Sequence, residues 1–192
     1  MELKALVLDG RLDDRLIADR LDDSIREWLA KRGWQVTTRI LRDVSIAPCI
    51  GCFGCWIKTP GVCVIDDEGR DVAAQIVRSD LVVYVTPVQF GGYSYELKKA
   101  IDRSIPIISP YFRILSGEVH HKKRYNAYPS VAAFAWSETS QNAKERETFE
   151  TLVKRNAINM MAPRTSVGFI DPDQLEAIDE LVAHNLGMVV AS

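Results

Sequence analysis

Leu81-Val-Val-Tyr-Val85 runs directly into Thr86-Pro-Val-Gln-Phe-Gly-Gly-Tyr-Ser94. The first five residues carry no polar face, so the strand they form is expected to be covered on both sides, as in a parallel sheet flanked by helices. Pro87 and two adjacent glycines then turn the chain, and Ser94 stands where a helix N-cap is wanted. Leu97, Ala100, Ile101 and Ile105 supply the inward face of the helix that follows. A buried strand, a glycine-rich exit and a helix make one βα unit.

The same pattern extends in both directions. Upstream, Leu3 to Leu8 reads as a buried strand ended by Gly10. Ile17, Leu21, Ile25, Trp28 and Leu29 recur at helical spacing, with Gly33 as a stop. Trp34 to Ile40 alternates in strand fashion. Asp66 and Asp67 can cap a helix carrying Val72, Ala73, Ile76 and Val77 inward. Downstream, Val131 to Trp136 is a strand, and Phe149, Leu152 and Val153 mark a helix. Ser166 to Ile170 is a further strand, and Asp171-Pro-Asp173 opens a last helix with Leu175, Ile178, Leu181, Val182 and Leu186. Five strands alternating with five helices call for a doubly wound α/β sheet. In such sheets the ligand lies outside the carboxyl ends of the strands, which directs attention to the loops beginning at Asp9, Leu41, Thr86 and Ser137.

Bulk properties narrow the function classes. A chain of 192 residues is expected to form one domain, 1–192. Its net charge of −2 gives no global electrostatic case for nucleic acid or an anionic membrane as partner. The N-terminus lacks the basic and apolar regions of a secretory signal, and no apolar run approaches a membrane span. A cytoplasmic location is expected, where structural disulfides are rare. One connection is long: residues 104–129 show little periodicity but hold Tyr111, Phe112, Tyr125 and Tyr128. An ordered insertion is expected there, acting as a lid or an oligomer contact.

All four cysteines fall within the cysteine-rich loop 48–65, as Cys49-Ile-Gly-Cys52-Phe-Gly-Cys55 and then Cys63. Three thiols at three-residue spacing plus a fourth nearby are enough to hold a four-iron cluster. Gly51 and Gly54 are expected to supply the positive φ angles that wrapping requires, and Thr59-Pro60-Gly61 suits a type II turn that returns Cys63. Zinc fits less well, because its structural loops present two separated Cys/His pairs. A redox dithiol fits less well again, because no isolated C-x-x-C exists. Small thiols that bind nothing are the plain alternative, and the spacing leaves it open.

Thr86, Pro87, Val88, Gln89, Phe90, Gly91, Gly92, Tyr93 and Ser94 form the next candidate site. The two glycines let main chain approach a flat ring, and Phe90 or Tyr93 can stack on it. After the fourth strand, Trp136 could flank such a ring, and Ser137 and Thr139 could bond a polar tail; otherwise Ser140 or Thr139 would cap a helix. His120-His-Lys-Lys-Arg124 could meet a phosphate, but five residues of that kind more often form a solvated loop. No G-x-G-x-x-G follows any strand.

The stretches Pro48 to Trp56, Pro60 to Asp67 and Thr86 to Lys98, with Asp102-Arg103, resemble the NADPH-dependent FMN reductase and iron-sulfur flavoprotein group of flavodoxin-like proteins. The resemblance implies a flavodoxin-like three-layer sandwich with a five-stranded parallel sheet, bound FMN, and a homodimer or homotetramer with the flavin near a subunit interface. It implies that Thr86 to Ser94 holds the isoalloxazine. In the iron-sulfur members, Cys49, Cys52, Cys55 and Cys63 would be ligands of a [4Fe-4S] cluster.

The first loop departs from the family's pattern. Glycine with several Ser, Thr or Asn residues is expected after strand one, but Asp9-Gly10-Arg11-Leu12-Asp13-Asp14-Arg15 stands there. Gly10, Arg11 and Arg15, with helix N-terminal N–H groups, could still receive a phosphate. Asp13 and Asp14 would repel it if they faced it; otherwise they would cap the first helix. The expectation is an FMN-dependent oxidoreductase in which NAD(P)H delivers hydride to the flavin and electrons leave to a second small-molecule acceptor or a redox protein, with no side chain as essential acid or base. The alternatives are an iron-sulfur flavoprotein electron carrier and a flavin-free binding module.

Overall fold

The computed structural model describes residues 2–115, 117–137, 143–171 and 173–190. The chain runs β1 (Lys4–Asp9), α1 (Leu16–Ala30), β2 (Gln35–Ile40), the short α2 (Gly54–Ile57), α3 (Gly69–Arg78), β3 (Leu81–Pro87), α4 (Tyr95–Arg103), β4 (Ile108–Leu115), β5 (Glu118–Lys123), β6 (Ser130–Trp136), α5 (Ala143–Asn159), β7 (Thr165–Ile170) and α6 (Ile178–Val189). Five strands form one parallel sheet in the order β2-β1-β3-β6-β7. This is a flavodoxin-like sheet. The chain steps from β1 outward to β2 and then back across to β3, so the order reverses between β1 and β3.

β3 shows why the strand has no polar face. All seven of its residues are buried. Leu81, Val83 and Val85 pack with α1 and α6, alongside Ile17, Leu21, Ile178 and Val182. Val82 and Tyr84 point to the opposite layer, where α3, α4 and α5 contribute Val72, Ile76, Leu97, Phe149 and Val153. Alternation of side chains therefore feeds two apolar layers from one strand.

The insertion at 104–129 is not irregular. β4 and β5 pair antiparallel with Arg113 opposite His120 and Ile114 opposite Val119. The basic run is part of this hairpin rather than a solvated loop. His120 is buried beside Asn159 and Glu118, and the His121 ring contacts Trp56 and Phe112. The hairpin leaves Tyr111, Phe112, Ile114 and Val119 exposed.

Helix entry also differs from expectation. α1 begins after Arg15 without a side-chain cap, because Asp13 and Asp14 are engaged by arginines instead. Asp67 accepts the Gly69 N–H at 3.0 Å, so it serves α3 from two residues ahead. Ser94 caps α4 as expected, accepting from Leu97 N at 3.2 Å. Among the described residues no helix is long and apolar enough to cross a membrane.

Candidate functional site

The exits of β1 and β3 meet at the reversal point. Gly10 N donates to Val85 O at 2.7 Å, and Ser94 Oγ donates to Gly10 O at 2.6 Å. A Cβ on Gly10 would lie 2.6 Å from Ser94 Oγ and 2.7 Å from Leu97 Cβ. Glycine is therefore required there for close packing of β1 against α4. Thr86, fully buried, accepts from Ser94 N at 3.0 Å and donates to Pro87 O at 2.9 Å. Both ends of the β3–α4 loop are thus fixed by hydroxyl groups.

Between those ends the chain makes a tight turn. Gln89 and Gly92 exchange both backbone hydrogen bonds, at 3.0 and 2.8 Å. The two tip residues have φ of +52° at Phe90 and +72° at Gly91, the double left-handed geometry of a type I′ turn. Phe90 is a bulky residue in a costly conformation, and its side chain is 102% exposed. Among the described residues no apolar burial offsets that strain. Tyr93, the other stacking candidate, points inward: it packs edge-on against Tyr84 and Phe149, and burial pushes its hydroxyl up to about 12. Of the two rings Phe90 is the exposed one.

Leu12, Asp13, Arg15, Pro87, Val88, Gln89 and Trp136 line a cleft of about 70 Å³ at these strand ends. Enclosing pockets for small molecules start near roughly 300 Å³, so this cleft is too small to enclose a flat ring by itself. Trp136 is 2% exposed and packs into the α1/α6 layer; its indole N–H has no partner among the described residues. Val88 N donates to Trp136 O at 2.7 Å, which ties the turn to β6. Ser137 is buried; Thr139 and Ser140 lie outside the described residues. A larger cavity, about 260 Å³, runs along α3 past Cys63, away from these strand ends.

Charges around the first loop are paired. Arg11 is 4% exposed, its Nε donating to Asp9 Oδ2 at 2.7 Å and its Nη1 to Asp19. Burial opposes its charge, but the hydrogen bonds to Asp9 and Asp19 win and hold the guanidinium more firmly protonated than usual. Burial pushes the Asp9 carboxyl up despite Arg11. Arg15 Nε lies 3.1 and 3.0 Å from the two oxygens of Asp13, and Arg42 pairs with Asp14.

The cysteine segment forms a noose. Ala47 N donates to Asp67 Oδ2 at 2.9 Å, closing its neck. Arg103, 1% exposed, pins the closure, donating to Asp67 at 2.8 and 2.6 Å and to Ala47 O at 2.7 Å. Arg70 Nε holds Cys63 O at 2.8 Å. Val62 N donates to Thr59 O at 2.9 Å around Pro60 and Gly61, whose φ is +90°. That is the expected type II turn. The expected left-handed φ at Gly54 is absent; Phe53 carries it instead, and Gly54 admits the close approach of Val64. Cys49 and Cys52 are exposed, Cys55 is buried and Cys63 half-buried. Burial pushes the Cys55 thiol up, and Cys63, Cys49 and Cys52 are near enough to add to that. Among the described residues no three Cys, His, Asp or Glu side chains already converge as a metal-ligand set. Asp67 and Arg103 lay within the stretches that carried the resemblance, yet nothing in their spacing announced the clamp.

A parallel sheet with the order β2-β1-β3-β6-β7, its strand order reversing between β1 and β3, defines a flavodoxin-like protein. The chain belongs to the NADPH-dependent FMN reductase family, whose pattern it matches over residues 3–134. It is 35% identical over 79 residues to an iron-sulfur flavoprotein of Methanocaldococcus jannaschii, covering 41% of this chain and 40% of that one. The match therefore spans about 40% of the length of this curated relative. The fold is similar to that of an NAD(P)H:quinone oxidoreductase from Methanothermobacter marburgensis, with a TM-score of 0.69 at 11% identity over 98% of each chain. It is also similar to an FMN-dependent NADH-azoreductase from Bacillus anthracis solved with FMN, with a TM-score of 0.67 at 12% identity over 98% of this chain and 100% of that one.

Proposed function

We propose that the chain is an FMN-dependent oxidoreductase that takes electrons from NAD(P)H and passes them to a second small-molecule acceptor. The carrying observation is the β3–α4 turn: Phe90 is held at φ +52° and wholly exposed where the strand order reverses. Family membership and the resemblance of residues 86–98 support the reading. FMN, when bound, supplies hydride acceptance and electron release. The chain's own residues do the positioning. Thr86 and Ser94 fix the turn, Phe90 offers an apolar face to the ring, and Trp136 with Val88 closes the floor against water. Reconstituted with FMN, the protein should oxidise NADPH or NADH in the presence of a quinone or dye. Absence of turnover with every donor and acceptor tried would overturn the reading. We take residues 1–192 as one domain working in the cytoplasm as a homo-oligomer.

A second reading, an iron-sulfur electron carrier, is favoured by the noose that collects Cys49, Cys52, Cys55 and Cys63. Four thiols in one loop fit a cluster by donor chemistry, and these would be its holders, although they are not pre-gathered. The iron-sulfur flavoprotein of Methanocaldococcus jannaschii supports it by likeness. Anaerobically purified protein should then be brown with roughly four irons per chain; yellow protein without iron would end this reading.

A further inference from the structure

The first loop is the part of the site that the flavin reading leaves unexplained. A phosphate-receiving loop needs cations or N–H groups with nothing else to hold. Here Arg11, Arg15 and Arg42 each face a carboxylate. Arg11 is held by Asp9 and Asp19, Arg15 Nε by both oxygens of Asp13, and Arg42 by Asp14. Asp43 adds a further carboxylate 3.8 Å from Arg42. Arg11 is 4% exposed, so no solvent-side rotamer turns it toward a newcomer without breaking a buried pair. Asp13 itself lines the strand-end cleft together with Arg15, Pro87, Val88 and Gln89.

Resting on the flavin reading above, we infer that this site holds the flavin by its ring and gives the 5′-phosphate no net attraction. Flavins with and without the phosphate are then equivalent ligands. The N–H groups at the start of α1 still favour an anion. The surplus of carboxylates over guanidiniums in the same loop offsets that. A phosphate reaching Arg15 would share its guanidinium with Asp13, whose negative charge would stand beside it. An uncharged ribityl hydroxyl, by contrast, can donate to Asp13 without disturbing its pair. The buried Trp136 N–H, unpartnered among the described residues, is a neutral donor suited to a carbonyl or hydroxyl oxygen. Thus Asp13, the carboxylate that lines the cleft, suits a neutral tail.

The test uses the full chain and measures quenching of flavin fluorescence with FMN and with riboflavin, at low and high salt. The dissociation constants should agree within about threefold at low salt. Raising the salt should leave FMN affinity unchanged or improve it, because screening removes repulsion rather than attraction. Asp13→Asn and Asp13→Asn/Asp14→Asn should tighten FMN relative to riboflavin by about tenfold. Asp13 is a surface side chain, and if its variants fail to fold the wild-type salt comparison decides alone. FMN bound tenfold tighter than riboflavin and weakened by salt would overturn this inference while leaving the flavin reading intact. A ratio of FMN to riboflavin affinity unmoved by either substitution would overturn it too. No quenching by either flavin would overturn both.

Discussion

Arg103 is a cation sealed from water at 1% exposure, held by both oxygens of Asp67 and by the carbonyl of Ala47. Removing Arg103 leaves the partly exposed Asp67 carboxylate and the Ala47 carbonyl without their donor. Arg103→Met should therefore lower stability by about 1–3 kcal/mol in urea unfolding. The same pair sets an acid limit. The hydrogen bond from Arg103 holds the Asp67 carboxyl below its usual range. A depressed folded-state value means the contribution is complete above about pH 4, the unfolded value, and is lost as pH falls through the folded one. The stability gap between wild type and Asp67→Asn should be constant near neutrality and shrink below about pH 4; a gap that grew on acidification would contradict the assignment. Phe90 makes the opposite trade. Glycine tolerates φ +52° without strain, so Phe90→Gly should stabilise the protein by about 1 kcal/mol while weakening FMN binding measured by fluorescence quenching. A loss of stability would show that Phe90 has a packing role within the chain.

At the level of elements, periodicity was informative wherever a segment packs by a regular face. The five sheet strands lie within a residue or two of where apolar runs placed them, because burial on both faces leaves so strong a signature in β3 and β6. The β4–β5 hairpin was illegible for the converse reason. It keeps Tyr111, Phe112, Ile114 and Val119 exposed while His120 is buried, so no polar-out alternation appears. Its order comes from tertiary contacts with residues far away in sequence. Trp56 Nε1 donates to Ile105 O and Ile108 O at 3.3 and 3.1 Å, and the indole meets His121 at 5.2 Å. A two-stranded hairpin is marginal alone, so this anchor matters. Trp56→Phe keeps a ring but loses both hydrogen bonds, about 1 kcal/mol. Amide exchange across β4 and β5 should quicken roughly fivefold while β1, β3 and β6 are unchanged. Uniform acceleration in the central sheet would show that Trp56 supports the whole core instead.

Across the whole molecule, α4 joins the two candidate centres. Its N-terminus is fixed to the turn through Ser94, and Arg103 at its end pins the cysteine noose. The fold and the two loops were legible because glycines, prolines and cysteines mark them locally. The clamp was not, since Asp67 and Arg103 meet across 36 residues and neither belongs to a spaced motif. Whether α4 transmits anything between its ends is a question of coupling. Its nine residues separate the ends by about 13 Å, and the described partners of Ser94 and Arg103 do not overlap. Sites that far apart without shared partners combine additively to within about 0.5 kcal/mol. Ser94→Ala removes a helix cap and a buried hydrogen bond, at about 1–2 kcal/mol. The Ser94→Ala/Arg103→Met double variant should lose the sum of the single effects, and FMN affinity should fall with Ser94→Ala but stay within about twofold in Arg103→Met. A coupling above about 1 kcal/mol, or loss of FMN from Arg103→Met alone, would show instead that the ring loop and the cysteine noose respond as one unit through α4.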